Sequence, residues 1–231
     1  MFSGPPLATP PAPTIRWKHT AGGSTLAIDV DELKTFLNIP LEDTFFDAEK
    51  QSFIAIAQAE IERHCRLIAT ASTWVGTLPA FYDHTRLVLR PFLDVTQVQY
   101  VEDGTGEIKT LDSSLWHALP IAQDCGMLFI GEGATLPETA RRHDAVRITA
   151  RAGFAVTEGD ESAGFPPLPE EIRHALLMTT AALDMARGDT QASPGANVTV
   201  YAMKQSRGSS IIPAEARNIL GDHVYRWVTV G

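Results

Sequence analysis

The sequence has little cysteine, little positive charge and no long hydrophobic run, and each shortage excludes a class of protein. Cys65 and Cys125 are the only cysteines in 231 residues, too few for a disulfide scaffold or a structural zinc site. No run approaches the roughly 18 apolar residues that span a bilayer. Residues 1–25 also lack the basic start and apolar core of a signal peptide. We therefore expect a protein without disulfides that binds no membrane and is made in the cytoplasm.

Acidic residues outnumber basic ones, 28 against 19, which gives a formal net charge of −9. A chain with this balance lacks the basic surface that stable binding to DNA or to anionic lipid requires. Hydrophobic residues make up 44% and charged residues 20% of the chain, as is typical of folded globular proteins. The length fits one large domain, or one domain with an extra module.

The sequence carries no pattern that indicates a reactive centre. Its seven histidines never form the paired helical spacing of a zinc peptidase. The glycine pairs Gly104/Gly106 and Gly131/Gly133 lack the remaining residues of a phosphate-binding loop, and no Gly-x-Ser-x-Gly elbow occurs. The basic group at Arg141–His143 is predicted to be a solvated loop. We expect no catalytic, cofactor-binding or metal-binding residues.

The pattern of apolar and turn residues divides the chain into segments. Residues 1–28 are rich in proline and predict an extended arm. Helical spacing follows from Val30, and a second helix is predicted from Thr44, where Asp47 stands three residues on, with a buried stripe that includes Ile54 and Ile61. Residues 29–188 are thus predicted to form a helical body.

Within that body, residues 72–153 contain short β-favouring runs that predict an inserted antiparallel module. A long helix is predicted from Pro169 to Gly188, where a proline start, an acidic first turn and a glycine stop agree. Residues 189–210 form a long polar loop, and 211–231 a closing helix with an apolar tail. Loops of that length usually have a function or stay disordered.

Several of these segments resemble head-tail connector (adaptor) proteins of tailed bacteriophages and phage-derived gene transfer agents. The resemblance covers roughly residues 29–228 and consists of patterns of apolar and turn residues. It is carried by "DVDELKTFLNIPLEDTFFDAEKQSFIAIAQAEIERHCRLIATASTW", "LVLRPFLDVTQVQYVEDGTGEIKTLD", "VRITARAGF", "LPEEIRHALLMTTAALDMARGD" and "IIPAEARNILGDHVYRW". In the first segment the matching positions are Val30, Leu33, Lys34, Leu37, Asp43, Ile54, Ala57, Ile61 and Trp74.

The resemblance implies an α+β fold that is mainly a connector-like helical bundle with an inserted antiparallel β module. It also implies a structural subunit without catalysis or cofactors, in a homo-oligomeric ring of about twelve copies. That ring would lie in the virion neck, between the portal protein and a tail-side neck or stopper protein, with DNA only in transient passage. Assembly would take place in the cytoplasm of the bacterial host.

The long loop and the C-terminus are the expected contact segments, because aromatic and arginine side chains anchor interfaces disproportionately. They would bind the portal or a neighbouring subunit. The candidate residues are Tyr201, Met203, Lys204, Arg207, Tyr225, Arg226, Trp227 and Val228.

Two alternatives stay open. One is a tail terminator or another neck or tail assembly protein, in which the β module would dominate the ring contacts. The other is a small hydrolase with a pocket between the β module and the helix from Pro169, for which His117 and His174 are the residues to mutate.

Overall fold

The computed structural model describes residues 15–22, 25–122, 125–131, 133–191 and 210–224. They form two compact units. One unit contains Thr73–Arg151 and the described residues before Ala21, and its regular structure is almost entirely β. The other contains Ala21–Ser72 and the described part of Ala152–Gly231, and it holds every α-helix of the described residues.

The β unit is built on two antiparallel sheets. The first has five strands in the order β1-β2-β8-β4-β5, and the second has three in the order β3-β7-β6. A single turn of 3₁₀-helix, Ser113–Leu115, precedes β6. The strands are β1 Arg16–Gly22, β2 Ser72–Leu78, β3 His84–Leu87, β4 Phe92–Val101, β5 Ile108–Thr110, β6 Trp116–Ala122, β7 Cys125–Ile130 and β8 Val146–Ala152.

Side chains that alternate between the two faces of each strand form the core of the β unit. In β8 every second residue from Val146 to Ala152 is buried, and the residues between them, such as Arg147 and Arg151, are half-buried, as the period of a strand requires. At Gly126 of β7 the ring of Phe92 occupies the place of a Cβ. A glycine is needed there because β4 and β7 pack so closely.

The helical unit contains five α-helices in its described residues. Asp29 caps the first helix by accepting a hydrogen bond from the Glu32 amide at 2.7 Å, and Asn38 ends it in the left-handed conformation. The third helix begins with a capping box between Thr157 and Asp160. The helices are α1 Val30–Leu37, α2 Asp47–Cys65, α3 Glu158–Ser162, α4 Glu170–Gln191 and α5 Ala214–Ile219, which the 3₁₀ turn Leu220–Asp222 follows.

The core of this unit lies between the apolar stripes of α2, α4 and α5. The stripe predicted for α2 is confirmed, because Ile54, Ala57, Ile61 and Cys65 are all fully buried. On α4 the buried hydroxyl of Thr179 donates to the Ala175 carbonyl at 2.7 Å, so a polar side chain is buried without losing its hydrogen bond.

The prediction of a mainly helical bundle is wrong. Helix accounts for 34% and strand for 30% of the chain, and the strands form two sheets. The β region has buried residues of its own, among them Leu87, Val98 and Ile148. It also gains strand β1 from residues 16–22, a segment whose sparse apolar pattern had indicated only an extended arm.

The second helix begins at Asp47, three residues later than predicted. The carboxylate of Asp47 binds Lys34, so it does not complete a capping box with Thr44. None of the described helices combines the length and the apolar character needed to cross a membrane.

Candidate interaction surfaces

All eight predicted contact residues lie outside the described residues, so the structure does not show where their side chains are. They remain predictions. These residues are Tyr201, Met203, Lys204, Arg207, Tyr225, Arg226, Trp227 and Val228.

The described residues next to these segments are anchored in the helical core. Ile212 is 1% exposed, and its amide donates to Ser210 Oγ at 3.2 Å. Ala216 and Leu220 are fully buried in the same core as α2 and α4. Residues 210–224 therefore belong to the folded body, and an experiment that removes them also removes part of the core.

The two histidines considered for enzyme chemistry pack against phenylalanine rings. The His117 ring stacks on Phe129 with 5.1 Å between the ring centroids, and His174 lies edge-on to Phe36 at 5.8 Å. In the described part of the chain, no three His, Cys, Asp or Glu residues lie together as metal ligands. Cys65 is buried in the helical core.

A cleft of about 380 Å³ opens in the β unit, lined by Arg16, Thr77, Pro79 and His143. Beside His143 in the sequence, the Arg142 guanidinium donates to both carboxylate oxygens of Asp144. This contact is the main cause that lowers the pKa of Asp144 to about 2. The basic group predicted as a solvated loop is thus partly neutralised.

An exposed loop joins α1 to α2 in the helical unit. Leu41 is 52% exposed and Phe45 is 83% exposed, which is unusual for a phenylalanine. Glu42 and Asp43 between them are exposed acids. We call residues 41–45 the acidic knob.

A buried lysine holds this loop in place. Lys34 of α1 is fully buried, and its ammonium donates to the Leu41 carbonyl at 3.1 Å. The same ammonium donates to Asp47 Oδ2 at 2.9 Å and lies 2.8 Å from Oδ1. Lys34 therefore connects Leu41, the first residue of the acidic knob, to Asp47 at the start of α2.

The three-stranded sheet has one buried and one exposed face. Strand pairing sets His117 and His84 opposite Phe129, and Leu119 and Arg86 opposite Met127, so that these side chains share a face. The residues between them, Thr85, Leu87 and Leu128, are buried. We call this set the outer sheet face, which consists of the exposed residues His84, Arg86, His117 and Leu119 and the half-buried residues Met127 and Phe129.

Two exposed apolar side chains make this face a candidate interaction surface. Leu119 is 52% exposed, and Ile121, at an irregularity of the β6–β7 pairing, is 54% exposed. Exposed apolar residues that cluster, with polar residues around them, are typical of protein–protein contacts.

No protein-family model matches this chain, and no curated protein does. Solved structures do match over nearly the whole length. A chain from the neck of an empty gene transfer agent particle, computed with C6 symmetry, matches with a TM-score of 0.64 and 17% identity, covering 94% of this chain and 98% of that one. The neck of a native gene transfer agent particle, computed with C12 symmetry, gives 0.60 and 18%, with the same two coverages.

A third match comes from the virion of a native gene transfer agent particle, with a TM-score of 0.61 and 19% identity over 93% of this chain and 98% of that one. These matches show that the chain has the fold of those particle proteins from near one end to near the other. Its β and helical units are therefore parts of one known chain fold.

Neither exposed surface was predicted from the sequence. The predicted second helix begins at Thr44 and includes Phe45, although two consecutive phenylalanines beside Glu42 and Asp43 could have indicated a loop. The exposure of Leu119 was not predictable, because alternation in one strand does not tell which face is covered.

Proposed function

We propose that this chain is a structural subunit of the neck of a phage or gene transfer agent particle, a head-tail connector (adaptor) that forms a ring. The observation that carries this proposal is the match of 94% of the chain to 98% of a neck chain. The match covers residues of both the β unit and the helical unit, so it does not rest on one shared module.

Particle symmetry supports a ring. The matched necks were computed with C6 and C12 symmetry, and a ring of about twelve copies of this chain follows the same pattern. We place the ring between the portal protein and a tail-side neck or stopper protein.

Net charge supports the passage of DNA through such a ring. Twelve copies with a formal charge of −9 each give a ring of about −108, which repels a duplex on average. Moving DNA requires weak contacts with phosphates, since strong contacts would retain it. The proposed role needs complementary surfaces and no reactive centre.

The candidate contact residues in 201–207 and 225–228 belong to this proposal. The C-terminal candidates are supported by the burial of Ile212, Ala216 and Leu220. Because these residues are part of the core, the segment from residue 225 follows an element that is fixed in place. A rigid start lowers the entropy that a segment loses when it binds.

The test is a truncation that removes residues 225–231 and keeps α5. We expect the shortened chain to fold, with an unchanged circular dichroism spectrum, and to lose binding to the cognate portal in light scattering. Removal of residues 229–231 alone is the matched control, because it keeps all the proposed C-terminal contacts. Removal of 213–231 is unsuitable because Ala216 and Leu220 are core residues.

Electron microscopy of particles with the labelled subunit tests the position. We expect the label at the neck. A label at the far end of the tail, or normal head-to-tail joining without the subunit, would contradict the proposal.

A further inference from the structure

The acidic knob and the outer sheet face are two exposed apolar surfaces on different units of the same chain. We propose that the acidic knob of one copy docks on the outer sheet face of a neighbouring copy. This inference rests on the proposed function, because a ring brings identical copies into contact. It names the surfaces through which they meet.

Apolar complementarity is the first argument. Phe45 exposes 83% and Leu41 52% of their surface, and Leu119 exposes 52%. Water contact with such clustered side chains is unfavourable, and docking removes it. Met127, which is half-buried, lies opposite Leu119 in the strand pairing and adds apolar surface beside it for an aromatic ring.

The knob is held rigid before it binds. Besides the bonds from Lys34, the Phe45 amide donates to Asp43 Oδ1 at 3.3 Å. The Asp43 amide donates to the Pro40 carbonyl at 3.1 Å, and the Asp47 amide to the Thr44 carbonyl at 3.2 Å. An aromatic side chain on an ordered loop loses little conformational entropy on docking, which is the property of interface anchors.

Charge selects the partner surface. Glu42 and Asp43 make the knob acidic, whereas the six residues of the outer sheet face include the cation Arg86 and no acid. Contact between two knobs would bring like charges together, whereas contact between a knob and the sheet face brings opposite charges together. A second copy of this chain therefore fits the sheet face, with the knob as its contact.

Contact between two different surfaces also has a consequence for symmetry. The contact is heterologous, because each copy binds one neighbour through its knob and another neighbour through its sheet face. Repeated contacts of this kind close into a ring or extend into a filament. The contact therefore produces the assembly that the proposed function requires.

Disulfide cross-linking between two variants tests the contact. Phe45→Cys and Leu119→Cys are prepared separately, mixed with the cognate portal present, and oxidised mildly. The native thiols Cys65 and Cys125 are buried, so they contribute little. We expect the mixed disulfide dimer to exceed both homodimers, and to exceed the product of Met185→Cys with Leu119→Cys by about tenfold.

Met185 is the matched control because it is also strongly exposed, at 66%, and lies outside both surfaces. Circular dichroism of each variant checks that it is folded. Mixed dimer at the control level would overturn the contact. If light scattering shows rings in that same sample, the proposed function stands and only this contact fails. If no rings form either, both proposals fail together.

Discussion

Replacement of the buried Lys34 by methionine tests the physical account of the loop between α1 and α2. Methionine keeps the apolar stem but removes the ammonium group, which donates to the Leu41 carbonyl and to Asp47. The carbonyl and the carboxylate then lose a charged donor. The Lys34 side chain is 1% exposed and the Asp47 side chain 32%, so the two ends of the ion pair differ in their access to water.

The partial exposure of Asp47 determines how much free energy of unfolding the variant loses. Breaking a fully buried ion pair costs about 3–5 kcal/mol, but water can partly solvate Asp47 after the change. The variant also avoids the cost of burying an ammonium. We expect a loss of about 2 kcal/mol in the free energy of unfolding, which corresponds to about 4–8 °C in Tm for a chain of this size.

Thermal unfolding followed by circular dichroism at 222 nm measures the effect. All the described α-helices belong to the unit that contains Lys34, so the helical signal follows the affected unit. Arg63→Met is the control, because Arg63 lies in the same unit and also pairs with a carboxylate, that of Glu60 at 2.7 Å, but its side chain is 70% exposed. Exposed pairs contribute little, and we expect a clearly smaller change in Tm.

A Tm shift of Lys34→Met below about 1 °C, or one no larger than that of Arg63→Met, would refute this reasoning. It would mean that the buried ammonium contributes no more than a surface charge. The loop would then be held by its backbone hydrogen bonds alone.

Two further predictions concern the packing of a glycine and the titration of an ion pair. Gly153→Ala should lower the urea midpoint, with a loss of about 2 kcal/mol or more, because Gly153 has a φ of +111° and a Cβ would overlap the Thr70 carbonyl. Gly164→Ala, with a φ of +88° and open space around it, should lose less. The carboxyl of Asp144, its pKa lowered to about 2 mainly by Arg142, should titrate near that value by NMR. Because a lowered pKa stabilises the folded state above the ordinary value of 3.8, the advantage over Asp144→Asn should vanish as the pH falls from about 4 to 2.

The helices were predictable where side-chain period and end signals agree. On α4 the acidic first turn at Glu170 and Glu171 and the buried positions Ile172 and Leu176 follow the helical period. Such a stripe is a local property of the sequence. Packing against the other helices stabilises the helix but does not change which residues form the stripe. The same holds for the buried stripe of α2.

The balance between helix and strand was not predictable, because strand pairing depends on residues far apart in the sequence. All but one of the residues of β1 are exposed, so its sequence contains no alternation to detect. What places it at the sheet edge is backbone pairing with β2 and the fit of Trp17 against Gly76, where the ring lies 2.8 Å from the position of a Cβ. Neither is a local property.

The positions of Lys34 and Phe45 invert the usual distribution of the two residue types, since lysine is normally exposed and phenylalanine buried. Folding alone gains little from this inversion. A buried ion pair roughly repays its own desolvation, whereas a phenylalanine left in water forgoes about 1.5–3 kcal/mol of burial. The arrangement is favourable once a partner covers Phe45, because the free energy that folding leaves unused at that side chain is then released on assembly. An exposed Phe45 is therefore what the proposed ring contact requires, since a neighbouring copy would cover it.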